Sequence, residues 1–254
     1  MGKARKNSNY QTPKREAERL AREREIMRKK RNKIIKTIVI SSVSLLLVAS
    51  MIVGIVGCSL GWFSPKPQEP THIATLIFDE YDGIEGHATV EIELYGNAAP
   101  DTVANFIALA KEGYYDDTYF HRIIDGFVAQ GGDGDGVIDG VSNDKPSIYG
   151  EFLENGFDNP IKHERGVISM ARLPSDENSA STQFFIVLET SESNTETLDG
   201  KYAAFGRVIK GMNFFDIVCK GKNSNLLPES QRPRILKIEI ETIAEYNKRT
   251  ADLK

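Results

Sequence analysis

One stretch limits this chain more than any other. TIVISSVSLLLVASMIVGIVG, Thr37 to Gly57, holds 21 residues without a charge, and none appears after it until Lys66. At about 1.5 Å of rise per residue such a helix would extend about 32 Å, enough to cross a hydrocarbon core of about 30 Å. The stretch therefore predicts a single transmembrane helix within residues 37–63. It also divides the chain by charge: residues 1–36 carry 14 Lys and Arg against 4 Asp and Glu, and the remainder carries 18 against 32. By the positive-inside rule the basic tail, with Lys29, Lys30, Arg31, Lys33 and Lys36 beside the span, stays cytoplasmic; Trp62 and Phe63 suit the far interface. The acidic remainder then faces outward, and its charge argues against a nucleic-acid partner, because it repels phosphate.

A second reading of the same stretch stays open. Ile55-Val56-Gly57-Cys58 resembles the bacterial lipobox, in which the cysteine is lipidated after cleavage, although the basic leader is longer than a usual signal n-region. Either way the C-terminal part is tethered outside. Cys58 and Cys219 are the only cysteines, so a disulfide framework is excluded.

Residues 12–33 begin with Thr and Pro in the positions of a cap and first turn and run on almost without an apolar face, as a solvated basic helix or tail does. After the span, SPKPQEP at 64–70 has three prolines and makes a stiff spacer. The remainder is ordinary globular sequence from Thr71 to residue 245, with residues 246–254 as a tail. Thr89 to Tyr95 alternates with period two, placing Val90, Ile92 and Leu94 on one face. Further strands are expected at 72–78, 119–124, 166–171, 183–188, 203–209 and 235–243. Pro100 opens a helix whose Val103, Phe106, Ile107 and Ala110 share a face and which Gly113 ends; a second helix is expected at 212–219. Many strands with two helices point to an all-β barrel or sandwich.

The chemistry has few places to reside. The glycine and aspartate run after Gln130 invites calcium, yet an EF-hand loop from Asp133 would meet Val137 and Ile138 where Asp or Asn and Gly are needed, and Asp144 where a bidentate Glu belongs. An RTX-type repeat has Gly136 in place of its aspartate and does not recur. No G-x-S-x-G elbow and no H-E-x-x-H pair exists, and His72, His87 and His163 lie in or beside strands as ordinary structural residues. No metal and no cofactor is expected.

What remains is an ordered set of unlike residues. Phe120-His121-Arg122 precedes Gly126-Phe127-Val128-Ala129-Gln130-Gly131-Gly132-Asp133; then follow Ser169-Met170-Ala171, Ser181-Thr182-Gln183-Phe184-Phe185-Ile186, Leu198-Asp199-Gly200-Lys201 and Phe205-Gly206. In these residues the chain resembles the cyclophilin family of peptidyl-prolyl cis/trans isomerases, from near Thr71 to near Ile243. The resemblance implies a closed eight-stranded antiparallel β-barrel capped by two helices, with a groove on its outer face for proline-containing polypeptides. It implies Arg122 as the catalytic donor, with Gln130 and Phe127 beside it. Val128, Phe185 and Leu198 would complete the proline pocket, Gln183 would support Gln130, Ala171 and Arg172 would line the peptide backbone, and Tyr202 would close the pocket. Phe120, Phe184 and Phe205 are expected in the core. A monomer is the expected state.

Several positions depart from the best-known eukaryotic pattern. Thr197 replaces tryptophan, Tyr202 histidine, Val128 methionine, Arg172 asparagine and Asp125 proline. Arg172 and Tyr202 resemble bacterial members, and the absent tryptophan bears on cyclosporin sensitivity. Ser191 to Thr197 reads as a mobile polar segment where the aromatic wall would stand. A non-catalytic module that grips proline peptides in the same groove is the rival reading.

Overall fold

Period-two patterning sets the first two strands. β1 (His72–Phe78) and β2 (Thr89–Leu94) pair antiparallel with Ala74 opposite Ile92 and Leu76 opposite Val90, and Val90, Ile92 and Leu94 are fully buried as the alternation requires. The computed structural model describes residues 68–134 apart from 82, 83 and 85, residues 145–252, and most of residues 18–36. The expected span at 37–57, Cys58 and the loop 135–144 lie outside the described residues. Among those described, no helix is long and apolar enough to cross a membrane. The chain divides into two units, 1–66 and 67–254, at the proline-containing spacer. In the first unit the described residues between 18 and 36 are helical and exposed, with a Lys29–Glu25 ion pair of 2.7 Å one turn apart.

The second unit adds β3 (Phe120–Ile124), β4 (Val128–Gly131), β5 (Val167–Met170), β6 (Phe184–Val187), β7 (Ala204–Lys210), β8 (Asn223–Ser224) and β9 (Ile235–Thr242). They form one sheet in the order β8-β3-β4-β6-β5-β7-β2-β1-β9, antiparallel at every pairing. Among the described residues the sheet thus has nine strands rather than the expected eight, because two-residue β8 joins the edge of β3. Its two ends approach each other through a single bridge, Tyr119 with Arg234, flanked by Phe120 N–H to Pro233 O at 2.9 Å and Ile235 N–H to Thr118 O at 2.7 Å. The described strands therefore curl into a mainly β, barrel-like sheet whose ends meet at this bridge instead of along a continuous ladder.

Among the described residues four α-helices accompany the sheet, not two. α1 (Pro100–Lys111) and α3 (Met212–Val218) are those the patterning predicts; α2 (Glu192–Leu198) and α4 (Ile243–Ala251) are additional. Strand β9 continues directly into α4 through a Thr242–Glu245 capping box, so the residues expected as a tail after 245 are mostly helical. A nine-residue helix with a weak apolar face gives little sequence signal beyond that box. α1 packs Phe106 against Tyr115, Phe184 and Phe205 at ring-centroid distances of 5.2, 5.5 and 5.2 Å, and α3 packs Phe214 on Phe78 at 4.1 Å. Phe120, Phe184 and Phe205 are fully buried in this inner core, as expected of them. Cys219, at the end of α3, is also buried, and burial pushes its thiol up to about 12, which keeps it inert.

One irregularity positions the rest. Between Phe120 and Arg122 the β3–β4 ladder slips: Phe120 faces Gly131 and Arg122 faces Gln130, leaving His121 as the extra residue of a bulge. Phe120 is buried in the core and His121 is buried beside it, while Arg122 is half-buried and lines the outer cleft. Gly131 permits the close approach, since a Cβ there would stand 2.9 Å from the Tyr119 carbonyl oxygen and 3.2 Å from Phe120 Cα.

The N-terminus of α1 depends on a distant carboxylate. Its N-cap residue, Ala99, offers no side-chain acceptor; instead buried Glu151 accepts from Asp101 N–H at 3.1 Å and Thr102 N–H at 2.8 Å. Glu151→Ala removes both acceptors and should lower the unfolding free energy by about 2 kcal/mol in urea titration. Acid should also unfold the domain through its histidines. Burial lowers His121 to about 4 and also depresses His163, while an unfolded histidine titrates near 6.5. Between those values the unfolded chain binds more protons, so stability falls as pH drops from about 6.5 to about 4, by up to about 3 kcal/mol from His121. Chemical denaturation across that range should show a shallower fall in His121→Gln than in the wild type.

Candidate active site

The bulge fixes a line of side chains across four strands. Arg122 on β3 stands opposite Gln130 on β4, Gln130 opposite Phe185 on β6, and Phe185 opposite Ser169 on β5. Cross-strand neighbours share a face, so a guanidinium, an amide and a phenyl ring lie side by side on the outer surface. Arg122 donates from Nη1 to Gln130 Oε1 at 3.4 Å and from Nε to Asn225 Oδ1 at 3.0 Å, and Gln130 Nε2 donates to Gln183 Oε1 at 2.9 Å. Burial lowers the Arg122 guanidinium below its ordinary value, but arginine keeps its charge at any physiological pH.

Around this line lies a cleft of about 250 Å³. Of the residues expected in the groove, Arg122, Phe127, Val128, Gln130, Ala171, Arg172, Phe185, Leu198 and Tyr202 all line it, joined by Thr197. Gln183 is 1% exposed and stands behind Gln130 as its hydrogen-bond partner. Val128, Ala171, Phe185 and Leu198 belong with Val167, Val187 and Ala204 to an apolar cluster separate from the inner core. This second cluster explains why β5 and β6 are buried at every position and show no alternation: the inner core covers one face and the cleft wall the other.

The rim is held as closely as the floor. The Arg172 guanidinium lies over two rings, 5.1 Å from the Phe152 centroid and 4.8 Å from that of Tyr202. It donates from Nε to Lys201 O and from Nη1 to Leu173 O, both at 2.9 Å. Tyr202 meets Phe185 edge-on at 5.6 Å. The segment expected to be mobile at 191–197 forms α2 for most of its length: Ser191 caps it, and Asn194 Nδ2 reaches Gly126 O at 2.8 Å and Glu189 O at 2.9 Å, tying the helix to the β3–β4 turn. A polar heptad conceals this order because one of its anchors, Gly126 O, is a backbone carbonyl distant in sequence.

His163 is fully buried, with Nδ1 3.1 Å from Asp199 Oδ1 and Nε2 3.0 Å from Ser169 Oγ. The carboxylate can only accept, so Nδ1–H donates to it and Nε2 accepts from the serine hydroxyl. Burial holds the imidazole neutral; Asp199, which burial alone would raise, is kept low by the His163 N–H bonds and by Lys162. The ring stacks on Phe185 at 6.1 Å and backs the cleft floor. Ser, His and Asp stand in nucleophilic order here, yet Ser169 and His163 have no exposed surface, so no substrate reaches them.

Two further features complete the picture. Asn225, which follows β8 and holds Arg122 Nε, was not foreseen; a two-residue strand in the polar stretch KGKNSN carries no periodic signal, and only its pairing with β3 places it. A cavity of about 320 Å³ elsewhere, lined by Asp116, Asp117, His121, Asp133 and Arg232 among others, shares no residue with the cleft. Among the described residues no group of three or more His, Cys, Asp or Glu could hold a metal ion.

Comparison with known proteins identifies the family. Residues 81–242 match the family model described as cyclophilin type peptidyl-prolyl cis-trans isomerase/CLD. Peptidyl-prolyl cis-trans isomerase-like 1 of Neurospora crassa is 49% identical over 125 residues, covering 49% of this chain and 71% of that protein. A peptidyl-prolyl cis-trans isomerase of Acinetobacter baylyi is 35% identical over 161 residues, covering 61% and 81% respectively. The crystal structure of a Cryptosporidium parvum cyclophilin type isomerase in the presence of the dipeptide Ala-Pro superposes with a TM-score of 0.53 at 29% identity, covering 66% of this chain and 99% of that one. Fungal and bacterial relatives both appear, so these relatives give no support to the expected likeness to bacterial members in particular. With the family model spanning residues 81–242 and the bulge presenting Arg122 over an apolar cleft, the chain belongs to the cyclophilin family and is a peptidyl-prolyl cis-trans isomerase.

Proposed function

We propose that this enzyme assists folding of proteins outside the cytoplasm by rotating their X-Pro bonds in the Arg122 cleft, as a monomer tethered to the membrane through residues 37–63. Rotation of such a bond meets a barrier of about 20 kcal/mol because amide resonance is lost, and takes tens to hundreds of seconds unaided. Reaching about 1 ms requires about five decades of rate, or about 7 kcal/mol, with no covalent bond broken and hence no call for a cofactor or metal.

The observation that carries the reading is Arg122, held on one side by Asn225 and on the other by Gln130, beside a pocket of ring size. In the twisted state the proline nitrogen regains a lone pair. A charged donor fixed beside it bonds that state more strongly than the planar one, which lowers the barrier without tightening substrate binding equally. Phe127, Val128, Phe185 and Leu198 grip the ring; Gln130, oriented by Gln183, takes substrate backbone; Ala171 and Arg172 flank the peptide; Tyr202 closes the rim. A pure binding module would need the ring pocket but not the positioned cation, and that favours the enzyme over it.

The tether rests on the uncharged run, on the basic residues before it and on the aromatic pair after it. Its alternative is a lipid on Cys58, which the bacterial character of Arg172 and Tyr202 accommodates. In a proline-tetrapeptide assay on the full chain, Arg122→Ala should lower kcat/KM by about a hundredfold and Asn225→Ala by a smaller, several-fold factor. Equal rates for wild type and Arg122→Ala would remove the proposed mechanism, and peptide binding without turnover in the wild type would support the binding module. Intact mass of the membrane-extracted protein should show an unprocessed N-terminus, whereas a chain starting at a lipid-modified Cys58 would establish the second anchor.

A further inference from the structure

The charges around the cleft are unevenly answered. Residues 37–254 carry an excess of acid, 32 Asp and Glu against 18 Lys and Arg, yet no Asp or Glu lines the cleft and two arginines do. Of the seven arginines in the folded unit, Arg165, Arg207, Arg234 and Arg249 each have a carboxylate partner. Arg122 and Arg172 have none among the described residues, and Arg232, the third without one, lies outside the cleft and donates to Leu227 O. In an acidic domain, two cations at the cleft without a carboxylate partner favour an anionic group there.

Arg172 is the better placed of the two to take a substrate side chain, because Arg122 is committed to the proline nitrogen. Its guanidinium lies over the Phe152 and Tyr202 rings, at 5.1 and 4.8 Å from their centroids, and Nε and Nη1 are anchored to the carbonyls of Lys201 and Leu173. Nη2 donates to no described residue. The group is thus fixed in advance, so a carboxylate that meets it loses little side-chain freedom on the protein's part, and a charge-assisted bond forms to a donor already in place. Neutral acceptors gain less from the same contact.

Resting on the isomerase reading above, we infer that Arg172 makes this cleft selective for proline bonds flanked by an acidic residue, so that the preferred clients present Glu or Asp next to the isomerised proline. The contact adds to ring binding and to the Arg122 step and replaces neither.

The test compares isosteric peptides on the full chain: Ala-Glu-Pro-Phe with Ala-Gln-Pro-Phe and Ala-Lys-Pro-Phe, and Ala-Ala-Pro-Glu with Ala-Ala-Pro-Gln. At low salt the wild type should turn over one Glu peptide about fivefold faster in kcat/KM than its Gln twin, with Lys slower still, and the ratio should shrink toward one in concentrated salt. In Arg172→Gln the Glu-to-Gln ratio should collapse to about one whatever the absolute rates, while Arg172→Lys should keep part of it. Equal rates for Glu and Gln in the wild type at both positions overturn the inference, as does a ratio that survives in Arg172→Gln. Fluorescence anisotropy of the same peptides reads the same ratio from affinity, so a wild type that binds without turnover would sink the isomerase reading and still decide the selectivity. Should Arg172→Gln not fold, the salt dependence of the wild-type ratio decides: a preference unmoved by salt overturns the role of charge.

Discussion

The β3–β4 bulge at His121 is the constraint on which the site depends. Side chains alternate between the two faces of a strand, so one extra residue reverses the facing of everything that follows. Here it lets Phe120 enter the inner core and still turns Arg122 outward, opposite Gln130 and in line with Phe185. Remove the slip and either the phenyl ring or the guanidinium points the wrong way. Gly131 makes the slip possible by leaving room for the Tyr119 and Phe120 backbone, so the glycine in the Gln-Gly-Gly run sets the facing of Arg122 without itself lining the cleft.

The sequence conveyed some of this and concealed the rest, for physical reasons. Alternation was readable in β2, where one face is buried and the other is wet; it was absent in β5 and β6, because the cleft wall covers the face that would otherwise be polar. Helix α1 was legible from Pro100 and its apolar stripe, but its capping partner Glu151 sits fifty residues away and could not be read locally. The groove residues followed from a resemblance carried by unlike residues in a fixed order, and the fold brings nine of the ten to one cleft. Asn225 and the order of α2 were hidden because each depends on a single hydrogen bond or two to a strand or turn distant in the chain.

The cleft combines two kinds of rigidity. Its floor is rigid because Phe185 is packed between β-sheet neighbours, His163 and Tyr202, and its rim because Arg172 is clamped by rings and carbonyls. Where the best-known family pattern has tryptophan, Thr197 stands on a helix that is anchored through Asn194. The wall at this point is therefore backbone-supported and polar, which leaves more open space over the ring than an indole would.

The buried Ser169–His163–Asp199 chain has a consequence for the reactivity of the cleft. These three groups stand in the order of a nucleophilic relay, and the Phe185 ring stacks on His163 at 6.1 Å. Ser169 and His163 have no exposed surface while Phe185 lines the cleft, so the phenyl ring shields the hydroxyl from whatever enters it. The fold thus keeps a hydrogen-bonded serine and histidine as structural groups directly behind the cleft.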